Sequence, residues 1–172
     1  MSQGELTRII DIRQIGKEPV VVEADEAERQ ALARRFMLVS VDALRASVTL
    51  QADAAIVTAK GRITANIVQS CAVSGADLPV AIDDALSFRF VPPRGEAKPD
   101  EEIEIDEDDC DEIEFTGQTF DLGEAVAQSL ALAIDPYATG PDADDARRKA
   151  GIVDENAPSG PFAALAGLKK PE

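Results

Sequence analysis

The chain of 172 residues contains no histidine and no tryptophan, and only one tyrosine and six phenylalanines. Absence of histidine removes the commonest general base, the usual catalytic triads and most catalytic zinc sites. No Walker-type loop, no G-x-G-x-x-G and no nucleophile elbow around a serine occurs. Cysteine is scarce too, with Cys71 and Cys110 alone, a weak basis for a disulfide. The opening Met1-Ser2-Gln3-Gly4-Glu5 lacks a basic n-region and an apolar core, so no secretory signal is expected. No apolar run approaches the roughly 20 residues of a membrane helix. These absences point to a cytoplasmic protein with free thiols. It is expected to bind rather than catalyse, with no cofactor, no membrane and no small-molecule substrate.

Apolar residues, mostly Ala, Val, Ile and Leu, make up 45% of the chain, enough for one globular domain. The net charge of −16 is unevenly placed. Residues 1–95 hold 11 bases and 12 acids, whereas residues 96–114 hold 12 acids against Lys98 alone. Such a block repels itself, stays solvated and serves as an interaction loop. It also repels a phosphate backbone, so a basic protein partner suits it better than naked nucleic acid.

Glu5–Ile15 and Pro19–Glu23 read as strands. Asp25 and Glu28 form a capping-box pattern that opens a helix from about Asp25 to Met37, with Ala27, Ala31, Leu32 and Phe36 on one face. From Arg45 to Asp53 the chain alternates, Ala46, Val48, Leu50 and Ala52 against Ser47, Thr49, Gln51 and Asp53, as a half-buried strand does. Ala55–Ala59 and Arg62–Gln69 are further strand segments, with a turn or a bulge at Lys60-Gly61. Leu78–Val91 is a long strand whose apolar face Asp84 interrupts, implying a bulge or a strand end there. Glu112–Phe115 and Gln118–Phe120 would form a short hairpin. Asp121 to Glu124 is a second capping-box pattern, opening the best amphipathic helix, which Pro136 stops. Tyr137–Gly160 is polar and expected to lack regular structure. The predicted fold class is α+β: a curved antiparallel sheet from residues 45–91, closing at the extreme into a small barrel, with two helices. Residues 1–136 would form the domain, with a flexible acidic insert at about 93–112. Residues 137–172 would form a tail with a short apolar end.

Few groups carry candidate chemistry. Asp83-Asp84 could do acid–base work, but neighbours on a strand point to opposite faces. The run Glu101, Glu102, Glu104, Asp106, Glu107, Asp108 and Asp109 invites a calcium reading. Started at Asp106, an EF-hand loop needs glycine where Asp111 stands and glutamate where Gly117 stands, so the motif fails. No metal ligands are assigned. The acids are candidate partner-binding residues, and a solvated loop is the plainer reading. An acidic ion-binding protein or a carboxylate-based, metal-dependent hydrolase is the alternative they leave. Cys71 reads as a small buried hydrophobe. The doublets Arg34-Arg35 and Lys169-Lys170 and the triplet Arg147-Arg148-Lys149 are short and scattered, with few aromatics for base stacking. Phe162, Leu165 and Leu168 fall at helical spacing, a core stripe or a docking motif.

Several features in order carry a resemblance. A strand enters Cys71 and a turn follows; Leu86-Ser87-Phe88-Arg89-Phe90-Val91-Pro92 closes the long strand; an acidic insert comes next. Phe120-Asp121-Leu122-Gly123-Glu124 opens the helix ending Leu130-Ala131-Leu132-Ala133-Ile134-Asp135-Pro136, and Pro161-Phe162-Ala163-Ala164-Leu165 lies near the C-terminus. From about residue 45 onward the chain resembles the YceD family of large ribosomal RNA subunit accumulation proteins. The resemblance implies a non-enzymatic role in accumulating large-subunit (23S) ribosomal RNA and in large-subunit assembly. The partners would be a basic ribosomal protein or an assembly intermediate, with rRNA touched directly or indirectly. Many members carry Cys-x-x-Cys where this chain has Cys71-Ala72-Val73-Ser74. Some carry a further cysteine where Tyr137 and Ala138 stand. These departures count against a family metal site here.

Overall fold

The computed structural model describes residues 4–93 and 111–152. In chain order the elements are β1 (Ile9–Asp11), a 3-10 turn (Ile12–Gln14), β2 (Val20–Glu23), α1 (Glu26–Arg35), β3 (Ser40–Asp53) and β4 (Ile56–Ser70). They continue with β5 (Asp77–Val91), β6 (Asp111–Glu114), β7 (Thr119–Asp121), α2 (Leu122–Ala133) and α3 (Ala143–Lys149). The described residues fall into two compact units, one within Met1–Gln69 and Pro79–Asp135, the other within Ser70–Leu78 and Pro136–Glu172.

The first unit is built on a five-stranded sheet in the order β2-β3-β4-β5-β6. It is open, with β2 and β6 at its edges, so the barrel expected as an extreme does not close. Period-2 alternation sets the buried face: Leu44, Ala46, Val48 and Leu50 on β3; Val57, Ala59, Ile63 and Ile67 on β4; Ile82, Leu86, Phe88 and Phe90 on β5. Each large side chain buried there stabilises the fold by about 1.5–3 kcal/mol relative to exposure. Lys60-Gly61 makes no turn, because β4 runs through it in unbroken register with β3. A Cβ on Gly61 would lie 2.0 Å from the Ser47 carbonyl oxygen, so the close strand approach itself requires glycine. β5 likewise passes through Asp84 without ending.

α1 shows the reciprocal capping box expected of it. Asp25 accepts from the Glu28 N–H at 2.8 Å and Glu28 accepts from the Asp25 N–H at 2.9 Å. Leu32 and Ala33 are its buried residues, while Ala27, assigned to the same face from periodicity, is exposed. α2 buries Leu122, Ala125, Val126 and Leu130, as its spacing requires. Its N-terminal cap is one-sided. Asp121 accepts from the N–H groups of Gly123 and Glu124, but the Glu124 carboxylate turns to Arg35 instead of closing a box.

Three expectations need correction. Glu5–Ile15 is not one strand: only Ile9–Asp11 pairs, and the 3-10 turn follows. Glu112–Phe115 and Gln118–Phe120 do not pair as a hairpin. β6 joins β5 in parallel, and β7 joins β1 in a separate two-stranded sheet. A stack of Phe90 on Phe120, with centroids 4.0 Å apart, and Phe115 edge-on to Phe120 at 5.8 Å favour this arrangement over local pairing. In the second unit, Ala143–Lys149 is helical where no regular structure was expected. Acids in its first turn and Arg147, Arg148 and Lys149 in its last suit the helix dipole.

Candidate functional site

The acidic run belongs to a crossover. β5 and β6 are parallel neighbours, with Phe88 opposite Asp111 and Val91 opposite Glu114. A parallel connection must carry the chain back along the strand, which takes a dozen or more residues. Both ends of the connection are anchored. The Phe115 N–H donates to the Val91 carbonyl at 2.9 Å, and Arg89 Nη1 meets Glu112 Oε1 at 3.1 Å. β6 is an edge strand of the sheet. The partner-binding candidates Glu101, Glu102, Glu104, Asp106, Glu107, Asp108 and Asp109 lie within this connection, outside the described residues. Phe162, Leu165 and Leu168 lie outside them as well.

A second feature belongs to the second unit. Cys71 opens a turn in which its N–H donates to the Ala76 carbonyl at 2.8 Å and its carbonyl accepts from the Gly75 N–H at 2.9 Å. Gly75 takes a φ of +72°, which glycine tolerates best. Ala72 N–H donates to the Ala138 carbonyl at 3.0 Å. The Cys71 sulfur is thereby aimed at N–H donors, Gly140 at 3.3 Å and Ser74 at 3.4 Å. These bonds, that of Gly140 above all and then those of Ser74 and Val73, lower the thiol pKa to about 6 against the opposing effect of burial. Cys71 is buried, as the sequence suggested, but its sulfur accepts from backbone N–H groups and is not a plain hydrophobe. The sequence signal for the missed donor was Gly140-Pro141, a turn placed just after α2.

The remaining candidates do not assemble. Asp83 pairs with Arg62, and Asp84 lines a cleft with Leu86 and Phe88. Arg35 is bound to Glu5 and Glu124, and Arg147 and Arg148 to Asp144 and Asp145. Among the described residues no three His, Cys, Asp or Glu side chains come together as a metal site. Where a metal would need further ligands, Cys71 has backbone N–H groups and Ser74. The donor set does not fit a cation.

A family profile described as "Large ribosomal RNA subunit accumulation protein YceD" matches residues 59–169. The chain belongs to the YceD family. The match spans most of β4, then β5, the acidic connection, both later helices and the Pro161–Lys169 segment, most of the stretch from about residue 45 that carries the resemblance. No curated protein and no solved structure matches the chain. The family's description ties its members to accumulation of the large ribosomal RNA subunit. Among the described residues of this YceD protein, no helix is long and apolar enough to cross a membrane.

Proposed function

We propose that this YceD protein is a non-enzymatic, cytoplasmic factor in large-subunit assembly. It docks a basic ribosomal protein, or the rRNP intermediate that carries one, on the acids of the β5–β6 connection. Concentration of charge carries the reading: 12 acids against one base in residues 96–114, in a chain whose first 95 residues are nearly balanced. A dense field of one sign steers a partner of the other and raises its on-rate, more than it adds to final affinity. The same field disfavours bare phosphate at that place. Phe162, Leu165 and Leu168 supply a second, apolar contact, so that docking is not purely electrostatic.

Tagged protein recovered from lysate with and without RNase tests this. Large-subunit proteins that survive RNase support it. Replacing Glu101, Glu102, Glu104, Asp106, Glu107, Asp108 and Asp109 by their amides should abolish that capture at physiological salt. Unchanged capture by the amide variant would refute the electrostatic contact.

A further inference from the structure

A cleft of about 410 Å³ lies where α1 and the ends of β2 and β3 meet β4. Its volume is in the range of small-ligand sites. Three strands of the sheet build it. Glu23, Arg45 and Thr64 stand opposite one another across β2, β3 and β4, and Ala43 stands opposite Asn66. Between Val41 and Ala43 the register shifts, leaving Asp42 unpaired and redirected at the rim. Arg29 enters from α1, its Nη1 held by the Ala24 carbonyl at 2.9 Å. Alanines at 24, 43 and 65 make the room.

The arginines distinguish this cleft. Among the described residues every arginine except Arg29, Arg34 and Arg45 is ion-paired. Two of these three unpaired guanidiniums line one cleft. Arg45 faces Glu23 across the ladder without an ion pair. Two unpaired guanidiniums offer planar, forked donors for phosphate oxygens or a surface for a base to stack on. Glu23 and Asp42 would repel a bare phosphate, yet they accept from hydroxyl and amino groups, and Asn66 does both. One ribonucleotide unit presents both kinds of group: an anionic phosphate, and the donors of its 2′-hydroxyl and base.

We propose that this cleft holds one nucleotide of single-stranded RNA, its phosphate on Arg29 and Arg45 and its 2′-hydroxyl and base N–H donors on Glu23, Asp42 and Asn66. No residue of the acidic connection lines the site, which adds an RNA contact to the assembly role proposed above, on which the choice of RNA rests. Glu23, Asp42, Arg45, Thr64 and Asn66 are all exposed, so a strand can enter and leave.

Fluorescence anisotropy of a labelled short oligouridylate with the full chain, over a salt series, tests it. Arg29→Gln with Arg45→Gln should weaken binding about tenfold and lower the salt slope by about one to two. Arg34→Gln, the unpaired arginine outside the cleft, should leave both unchanged. Arg45 has no side-chain hydrogen bond to a described residue, so Arg45→Gln alone decides if the double variant loses its melting transition. An oligodeoxythymidylate should bind more weakly than the RNA. No binding by the native chain at low salt, equal affinity for DNA, or an equal loss with Arg34→Gln would overturn the site. RNase-resistant capture of ribosomal protein should be untouched by Arg45→Gln, and oligouridylate binding should survive neutralisation of the acids. The two readings therefore fail separately.

Discussion

Arg35, in the last turn of α1, grips Glu124, in the first turn of α2, through Nη2–Oε1 and Nη1–Oε2 contacts of 2.7 and 2.9 Å. Nη1 also reaches Glu5 at 2.9 Å, so one guanidinium ties together three stretches far apart in sequence. Forked arginine–carboxylate pairs of this kind are stronger than ordinary surface pairs. Each group also sits at the helix end whose dipole favours its charge. A double-mutant cycle with Arg35→Gln and Glu124→Gln, followed by urea denaturation, should give a coupling of about 1 kcal/mol. A value indistinguishable from zero would make the pair ornamental.

Acid should weaken the fold through these carboxylates. Glu124 lies below its ordinary pKa because Arg35 donates to it, and Glu28 because Arg8 does. A depressed folded pKa contributes stability that is fully present above the free value of about 4.3 and lost as pH falls through the folded values. The urea midpoint should therefore drop on acidification below that value. Arg8→Gln and Arg35→Gln should each flatten the drop, and an unaltered slope in both would refute the linkage.

Backbone geometry predicts opposite outcomes for two small substitutions. Gly61→Ala drives a methyl into backbone, 2.0 Å from Ser47 O and 2.8 Å from Val48 Cα, which a paired strand cannot relieve cheaply. A loss of about 2–3 kcal/mol is expected by denaturation. In the two-residue turn joining β3 to β4, Ala54 holds a φ of 53°, costly for a residue with a Cβ. Ala54→Gly should gain about 0.5–1 kcal/mol, because relief of that strain outweighs the entropy glycine adds to the unfolded chain.

Cys71 should titrate as a thiolate. In a Cys110→Ser background, its ultraviolet thiolate absorbance should rise with a midpoint near 6. Its folded pKa is depressed, so the turn gains stability at alkaline pH and loses it as pH falls toward that midpoint. Strong chelators should leave the melting temperature unchanged, since the thiolate rests on N–H donors. A midpoint near that of a free thiol, or a chelator-induced fall in melting temperature, would contradict this account.

Burial periodicity made much of this protein legible from its residues. Alternation marked the faces of β3 and β5, helical spacing marked α2, and Asp25 with Glu28 marked the start of α1, because each depends on neighbours within a few positions. Charge density alone located the acidic run. Order of motifs alone indicated the YceD family. Partner choice at a distance was beyond such reasoning. Glu124 has a local capping role and a stronger partner 89 positions away in Arg35. Phe115 and Phe120 are close enough for a hairpin, yet the stacking of Phe120 on Phe90 draws their strands into different sheets. The arginine doublets stood out in sequence, but Arg35, Arg147 and Arg148 are neutralised by carboxylates. Arg29 and Arg45, unremarkable in sequence, are brought to one cleft by a helix, a bulge and a ladder. Local pattern determined which residues are buried and where elements begin. The tertiary structure decided which charges stay unpaired, because that depends on groups the chain brings together only when folded.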